Sequence, residues 1–245
     1  MRNTNIECHL DVKNRRLSTV GSTVSGTCMT DDLFGFDNAA FASREQLGEQ
    51  AVVMRAFAEP YVAALITLLP EITTAAPFRH MHTPGGYKMS VSMSNCGALG
   101  GIVDQHGYRY TDIDPLTNQL WPPMPQAMTE LAQAAATAAG FADFNPQSCL
   151  INRYLPDAKM SLHQDKSEDN LVAPIVSVSL GMPAMFLFGG DERSDRPQRI
   201  PLLHGDVVVW GGIDRLRFHG VMPVQSNPHP LFGEQRINLT FRQVT

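Results

Sequence analysis

Hydrophobic and polar positions divide the chain into two textures that meet near residue 148. Upstream, apolar residues crowd Val52–Leu69, which predicts a short strand and then a helix opened by Glu59, Pro60 and Tyr61 and stopped by Pro70. Thr83-Pro84-Gly85-Gly86 reads as a turn. After it, Met89, Val91 and Met93 alternate with Ser90, Ser92 and Ser94, the pattern of a strand with one apolar face. Gly97, Gly100, Gly101 and Gly107, followed by Tyr108 and Tyr110, predict a flexible hairpin or lid. Trp121 to Pro125 forms a rigid connector. Gln126–Ala139 is an Ala-rich helix closed by Gly140, with Met128, Leu131 and Ala135 at helical spacing for packing on a sheet.

Downstream the runs become short, β-type, and broken by Gly, Pro, Asn and Asp. They are Cys149–Leu155, Lys159–Gln164, Ile175–Leu180, Ala184–Phe188, Asp206–Trp210, Leu216–His219 and Gln235–Arg242. Many short strands imply a sandwich or barrel, and a jelly roll among these offers a mouth where side chains from separate strands converge on a ligand. The expected class is therefore mainly β with flanking helices. Residues 1–28, rich in Ser, Thr and Asn, read as a disordered extension, or as a mis-annotated one if Met29 is the initiator. Residues 29–147 would supply helices, lid and supporting helix, and 148–245 the catalytic core, with 29–245 forming one compact domain.

Composition narrows the function classes. The chain of 245 residues is 43% hydrophobic and 18% charged, enough apolar material for one sizeable core. No stretch approaches the roughly 18 to 20 apolar residues of a membrane-spanning helix. The expectation is a soluble, cytoplasmic monomer without membrane contact. Cys8, Cys28, Cys96 and Cys149 are scattered and suggest neither a zinc site nor a redox dithiol. A net charge of −5 argues against coating nucleic acid by bulk electrostatics, so any grip on a polynucleotide must be local.

The sharpest chemical signal is His163-Gln164-Asp165 at a strand end, where residues i and i+2 share a face and can share a metal. His219, after Leu216-Arg217-Phe218, is the candidate third ligand. Two imidazoles and a carboxylate suit a six-coordinate Fe(II) with three open positions. His-x-Asp alone is weak evidence, and a second copy stands at His204-Gly205-Asp206. That copy directly precedes the apolar run Val207–Trp210, so a turn closed by Asp206 is the better reading there. For His163 alone, a surface or satisfied core histidine would be the commoner explanation.

The last run changes those odds. Arg236, Asn238, Thr240 and Arg242 share one face of it, with Ile237, Leu239 and Phe241 on the other. Six residues of strand span roughly 20 Å, so two arginines leaning inward could bracket a small dicarboxylate, which guanidinium groups hold bidentately. A solvated polar face is the plain alternative. Asn152 and Tyr154, again i and i+2, could donate further hydrogen bonds to the same acid.

These residues resemble the AlkB family of nucleic-acid dealkylating dioxygenases from about Met29 to Gln243. The resemblance rests on Asn152-Arg153-Tyr154, Ser161 to Lys166, Pro174 to Gly181, His204 to Gly212, His219-Gly220 and Asn238 to Arg242. It implies a double-stranded β-helix (jelly roll) core with an N-terminal substrate-binding lid. It also implies iron on His163, Asp165 and His219, and 2-oxoglutarate on Asn152, Tyr154, Arg236, Asn238 and Arg242, with Arg236 at the distal carboxylate. Fe(II) with 2-oxoglutarate and O2 as co-substrates would hydroxylate an N-alkyl carbon, yielding succinate, CO2 and, from a methyl group, formaldehyde. Expected substrates are bases such as 1-methyladenine and 3-methylcytosine in DNA or RNA, as single strands or flipped nucleotides. Contacts would come from Tyr108, Arg109, Tyr110, Arg193, Thr83, Tyr87, Met89, Ser90 and Met93, although Tyr and Met on strands more often serve the core.

Two positions depart from the family pattern. Gly101 stands where members carry a base-stacking Trp, and Ser167 where they carry an acid just beyond the iron Asp. Both bear on substrate range rather than on iron, and Tyr108 is the expected replacement stacking face. The same departures keep open an oxygenase for a protein or small-molecule substrate. A non-enzymatic jelly-roll binding module is the other rival, and it leaves the paired arginines as coincidence.

Overall fold

The computed structural model describes residues 43–245, so the expectations for residues 1–28 and for a start at Met29 lie outside the described residues. The strands, in chain order, are β1 (Arg44–Gln46), β2 (Ala51–Met54), β3 (Arg79–His82), β4 (Lys88–Gly97), β5 (Gly100–Asp104), β6 (Gly107–Thr111), β7 (Ile113–Asp114), β8 (Gln119–Leu120), β9 (Ser148–Tyr154), β10 (Met160–His163), β11 (Ile175–Gly181), β12 (Ala184–Phe188), β13 (Gln198–Leu202), β14 (Val207–Trp210), β15 (His219–Val221) and β16 (Arg236–Arg242). Two helices, α1 (Val62–Ala75) and α2 (Gln126–Ala138), flank them.

An eight-stranded sheet runs β1-β2-β14-β11-β16-β9-β4-β3, and a four-stranded sheet runs β10-β15-β12-β13. Strands from both halves of the sequence thus share the larger sheet. Its two faces follow the period-2 rule. Val176, Val178, Val207, Val209, Leu239 and Phe241 pack one way, against Leu65, Leu69, Met128 and Leu131 of the helices. Ile175, Val208, Trp210 and Leu150 face the other way and meet Phe186, Phe188, Ile200 and Val221 of the smaller sheet. The result is a jelly roll, with a helical layer on the outside of its larger sheet.

Four details differ from the sequence expectation. Pro70 lies inside α1 rather than ending it. Pro70 and Ile66, whose carbonyl the missing N–H would have met, are both on the exposed face, where water can serve that carbonyl. The Thr73 and Thr74 hydroxyls donate to the carbonyls of Leu69 (2.9 Å) and Pro70 (2.8 Å). Secondly, β4 is buried on both faces from Val91 onward. Its serines survive burial because Ser94 Oγ donates to the Ala76 carbonyl and Ser92 Oγ accepts from Arg153 Nε at 3.0 Å. Thirdly, β15 begins at His219 instead of ending there. Finally, β13 adds an edge strand not expected from sequence.

The second His-x-Asp is a turn, as its sequence context suggests. Gly205 has φ +81°, a conformation side chains rarely adopt. Asp206 accepts from Arg55 NH1 (2.6 Å) and from the backbone N–H groups of Ala56 (3.0 Å) and Leu203 (2.9 Å), tying this turn to the end of β2. His204 Nδ1 accepts the Gly181 N–H at 3.0 Å, and its ring stacks on His229 with centroids 4.2 Å apart.

Candidate active site

His163 is the last residue of β10 and pairs in register with His219, the first of β15. Asp165 follows two residues later, so its carboxylate returns to the same face. The ligand atoms of His163, Asp165 and His219 all lie within 4.8 Å of one another. His163 Nε2 is 3.7 Å from Asp165 Oδ1, and His219 Nε2 is 3.9 Å from Oδ2. Each imidazole hydrogen-bonds through Nδ1 to the carbonyl two residues before it, Ser161 at 2.9 Å and Arg217 at 3.0 Å. A carbonyl can only accept, so Nδ1 carries the proton and the Nε2 lone pairs converge beside the carboxylate, the tautomer a metal requires.

The electrostatics favour the same state. Burial would raise the Asp165 carboxyl, yet Arg242, His219 and His163 hold it well below the ordinary carboxylate range. Burial, reinforced by His163, pushes His219 down to about 3, so its imidazole is neutral and its lone pair available at physiological pH.

Beside these residues runs a slot of ≈ 50 Å³ lined by Asn152, Tyr154, Ser177, Trp210, Arg236, Asn238, Thr240 and Arg242. The polar face of β16 therefore looks inward. Arg236 is 1% exposed, lies 4.9 Å over the Tyr154 ring and donates to Ser179 Oγ at 2.9 Å. Its Nε and NH1, together with Asn152 Oδ1 and Trp210 Nε1, have no partner among the described residues. A buried guanidinium with unmet donors is costly unless an anion completes it. Asn152 Nδ2 donates to Asn238 Oδ1 (3.1 Å), and Asn238 Nδ2 donates to Ser177 Oγ (2.8 Å), fixing that wall. The unmet donors fit one carboxylate of 2-oxoglutarate, and the converging nitrogens and carboxylate fit Fe(II).

Arg242 sits differently from Arg236. Its Nε and NH2 both donate to Asp165 Oδ2, at 2.9 and 2.6 Å. Around that pair, Arg215 donates to the Asp165 carbonyl (2.6 Å), the Ala173 carbonyl (3.0 Å) and Glu168 Oε2 (3.0 Å). Gln164 Nε2 reaches the Leu216 carbonyl at 2.6 Å. The loop carrying Asp165 is thereby clasped to the loop leading into His219. Sequence reasoning missed Arg215, Glu168, Ser177 and Ser179. Ser177 and Ser179 alternate with Val176, Val178 and Leu180, the one signal that a polar site faces β11.

The candidate substrate residues separate into groups. Tyr108 and Tyr110 meet edge to face, 5.3 Å apart, beside Arg242. Tyr110 Oη bonds Glu168, and the Arg242 guanidinium lies 5.9 Å from the Tyr108 ring. Arg193 stands 5.4 Å over Phe218, the neighbour of His219. Arg109 is exposed and pairs with Asp104 within its own hairpin. Tyr87 is exposed, while Thr83 Oγ1 accepts the Tyr87 N–H at 3.2 Å within the turn. Ser90 Oγ bridges to the backbone of Lys159. Met89 packs at the core's edge, and Met93 is a core residue at 3% exposure, behind the surface a substrate could touch.

Comparison with known proteins fits this geometry. Residues 50–242 match the model of the 2OG-Fe(II) oxygenase superfamily. The chain is 55% identical over 212 residues to alpha-ketoglutarate-dependent dioxygenase AlkB of Salmonella typhimurium, covering 86% of this chain and 97% of that protein. The chain belongs to the AlkB family. It is an Fe(II)- and 2-oxoglutarate-dependent dioxygenase, using O2. It is also 33% identical over 123 residues to human nucleic acid dioxygenase ALKBH1, covering 50% of this chain and 32% of that one. Among solved structures, that of OsALKBH1 superposes with a TM-score of 0.70 at 28% identity, covering 82% of this AlkB-family chain and all of the other.

Proposed function

We propose that this chain oxidatively dealkylates N-alkylated bases of nucleic acids, 1-methyladenine and 3-methylcytosine among them, presented in single strands or as flipped nucleotides. The observation that carries the reading is the meeting of the His163-Asp165-His219 cluster with the slot into which Arg236 aims unmet donors. That the human relative is named a nucleic acid dioxygenase supports the substrate class.

In this reading His163 Nε2, Asp165 and His219 Nε2 hold Fe(II). Arg236, with Tyr154 beneath it, takes the distal carboxylate of 2-oxoglutarate, and Asn152 and Asn238 line its path. Arg242 lies across the slot in contact with Asp165, so admitting the co-substrate asks Arg242 to share its hydrogen bonds. When bound, iron, co-substrate and O2 together hydroxylate a C–H bond while 2-oxoglutarate becomes succinate and CO2. The N-hydroxymethyl product then breaks its N–C bond, the hydroxyl proton passes to water, and formaldehyde and the free base result. No nucleophile or general base of the protein is required. Tyr108, Tyr110 and Arg193 surround the mouth through which a flipped base would enter.

The test is release of formaldehyde in step with succinate from single-stranded oligonucleotides bearing 1-methyladenine. Succinate formed at the same rate with or without the oligonucleotide, and no formaldehyde, would instead favour a protein or small-molecule substrate.

A further inference from the structure

The outward face of the four-stranded sheet carries a groove of ≈ 450 Å³ lined by Leu187, Arg196, Pro197, Arg199 and Met222. Strand alternation builds it. Phe186 and Phe188 are buried inward, so Leu187 between them turns out, and buried Ile200 and Leu202 turn Arg199 out in the same way. Register places Arg199 opposite Leu187 and Leu187 opposite Gly220, the residue after His219. Arg196 and Arg199 are exposed, and neither forms a salt bridge among the described residues.

The groove connects to the iron site through the loop between β12 and β13. Gly189 N–H donates to the Phe218 carbonyl at 2.7 Å, and Phe218 N–H donates to the Gly190 carbonyl at 3.0 Å. Arg193 of this loop lies over Phe218. Arg193, Arg196 and Arg199 therefore recur every third residue from beside Phe218, the neighbour of His219, to the groove. The loop also holds acids. Asp191 and Glu192 are exposed at its tip, while Asp195 folds back to accept the Glu192 N–H at 3.0 Å.

We propose that this groove is a second contact for the polynucleotide, with Arg196 and Arg199 meeting phosphates of nucleotides flanking the modified base. The apolar floor of Leu187, Pro197 and Met222 takes their sugars or bases. The proposal rests on the nucleic-acid reading above and adds a track beyond the mouth. A chain of net charge −5 needs local cations for this purpose, and unpaired arginines framing an apolar floor supply both phosphate contact and burial. Edge protection would explain Arg199 and Pro201, since β13 is an edge strand. It does not explain Arg196 in the preceding loop or the apolar floor between the arginines.

The experiment compares the full chain with its R196A/R199A variant on a trinucleotide with one central methylated base and on a long single strand with the same centre. Binding is read by fluorescence anisotropy on unmethylated versions, independently of turnover. In the wild type the long strand should bind tighter than the trinucleotide. The variant should lose most of that gain, roughly tenfold in Kd, and its log Kd against log salt slope should be shallower by about 1.4, two phosphates at about 0.7 each. R196K/R199K should recover most of the gain. Equal length dependence in wild type and R196A/R199A overturns the groove, as does aggregation of the variant with unchanged binding, the result edge protection predicts. Formaldehyde release from the wild-type trinucleotide reports separately on the dealkylation reading.

Discussion

The hydroxyl of Tyr108 occupies the space beside Gly101: a β-carbon built on Gly101 would lie 2.0 Å from Tyr108 Oη. Gly101 is fixed in turn by buried Asn95, which donates to its carbonyl at 3.0 Å and accepts its N–H at 2.9 Å. These two bonds hold the backbone of β5 in place, so a side chain at 101 displaces the Tyr108 ring. The absence of a side chain at 101 and the inward position of Tyr108 are one feature.

A double-mutant cycle tests that coupling. Tyr108→Ala should weaken binding of a methylated single strand by about 1 to 3 kcal/mol, the worth of one stacking face. Gly101→Ala should cause a loss of similar size by displacing the ring. The double variant should be no worse than either single one, because both act on the same ring. Additive losses, or a Tyr108→Ala variant with wild-type kinetics, would separate the two residues.

Arg215 is the second point of leverage. It is 2% exposed and serves three acceptors, all of them on the loop between β10 and β11 that carries Asp165. Arg215→Met leaves Glu168 buried beside fewer cations, which should cost about 3 to 5 kcal/mol of unfolding free energy in urea titrations. The same change should weaken Mn(II) binding about 10- to 100-fold by calorimetry, as loss of ligand support does. Arg215→Lys should recover part of the stability but less of the metal affinity, since it cannot span three acceptors. Metal affinity unchanged in both variants would reduce Arg215 to a structural residue.

Acid sensitivity follows from the buried imidazoles. An unfolded chain takes up protons near the ordinary histidine pKa of about 6.5, while His219, pushed down to about 3 by burial and by His163, does not. Between those values the unfolded state binds more protons than the folded one, so stability of the metal-free protein falls as pH is lowered. His204, also lowered by burial and by His229, acts in the same direction. Urea titrations across this window should show a flatter pH dependence in His219→Gln, by as much as about 1.4 kcal/mol per pH unit. A profile identical to wild type would mean that His219 titrates normally.

Much of the site was readable from sequence because its parts obey short-range rules. The i, i+2 spacing brings His163 and Asp165 together, and the alternation of Arg236, Asn238, Thr240 and Arg242 with Ile237, Leu239 and Phe241 survives intact in β16. What was hidden depends on three-dimensional neighbours. Pro70 is tolerated in α1 because it falls on the solvent side, and Ser92 and Ser94 are buried where Arg153 and the Ala76 carbonyl after α1 meet their hydroxyls. Pro201 masked β13, an edge strand where proline is allowed. Arg215 and Glu168 carry no local pattern, since their partners lie more than 40 residues apart in the chain.

The central claim, that His163, Asp165 and His219 hold iron beside a 2-oxoglutarate slot, is tested most directly by anaerobic absorption spectroscopy. Adding Fe(II) and then 2-oxoglutarate to the metal-free protein should produce a visible charge-transfer band. The band should vanish in His163→Ala and Asp165→Ala, and should remain in His204→Ala, which disturbs only the turn at Gly205. A band that survives loss of Asp165, or that disappears with His204 while the protein stays folded, would contradict the assignment.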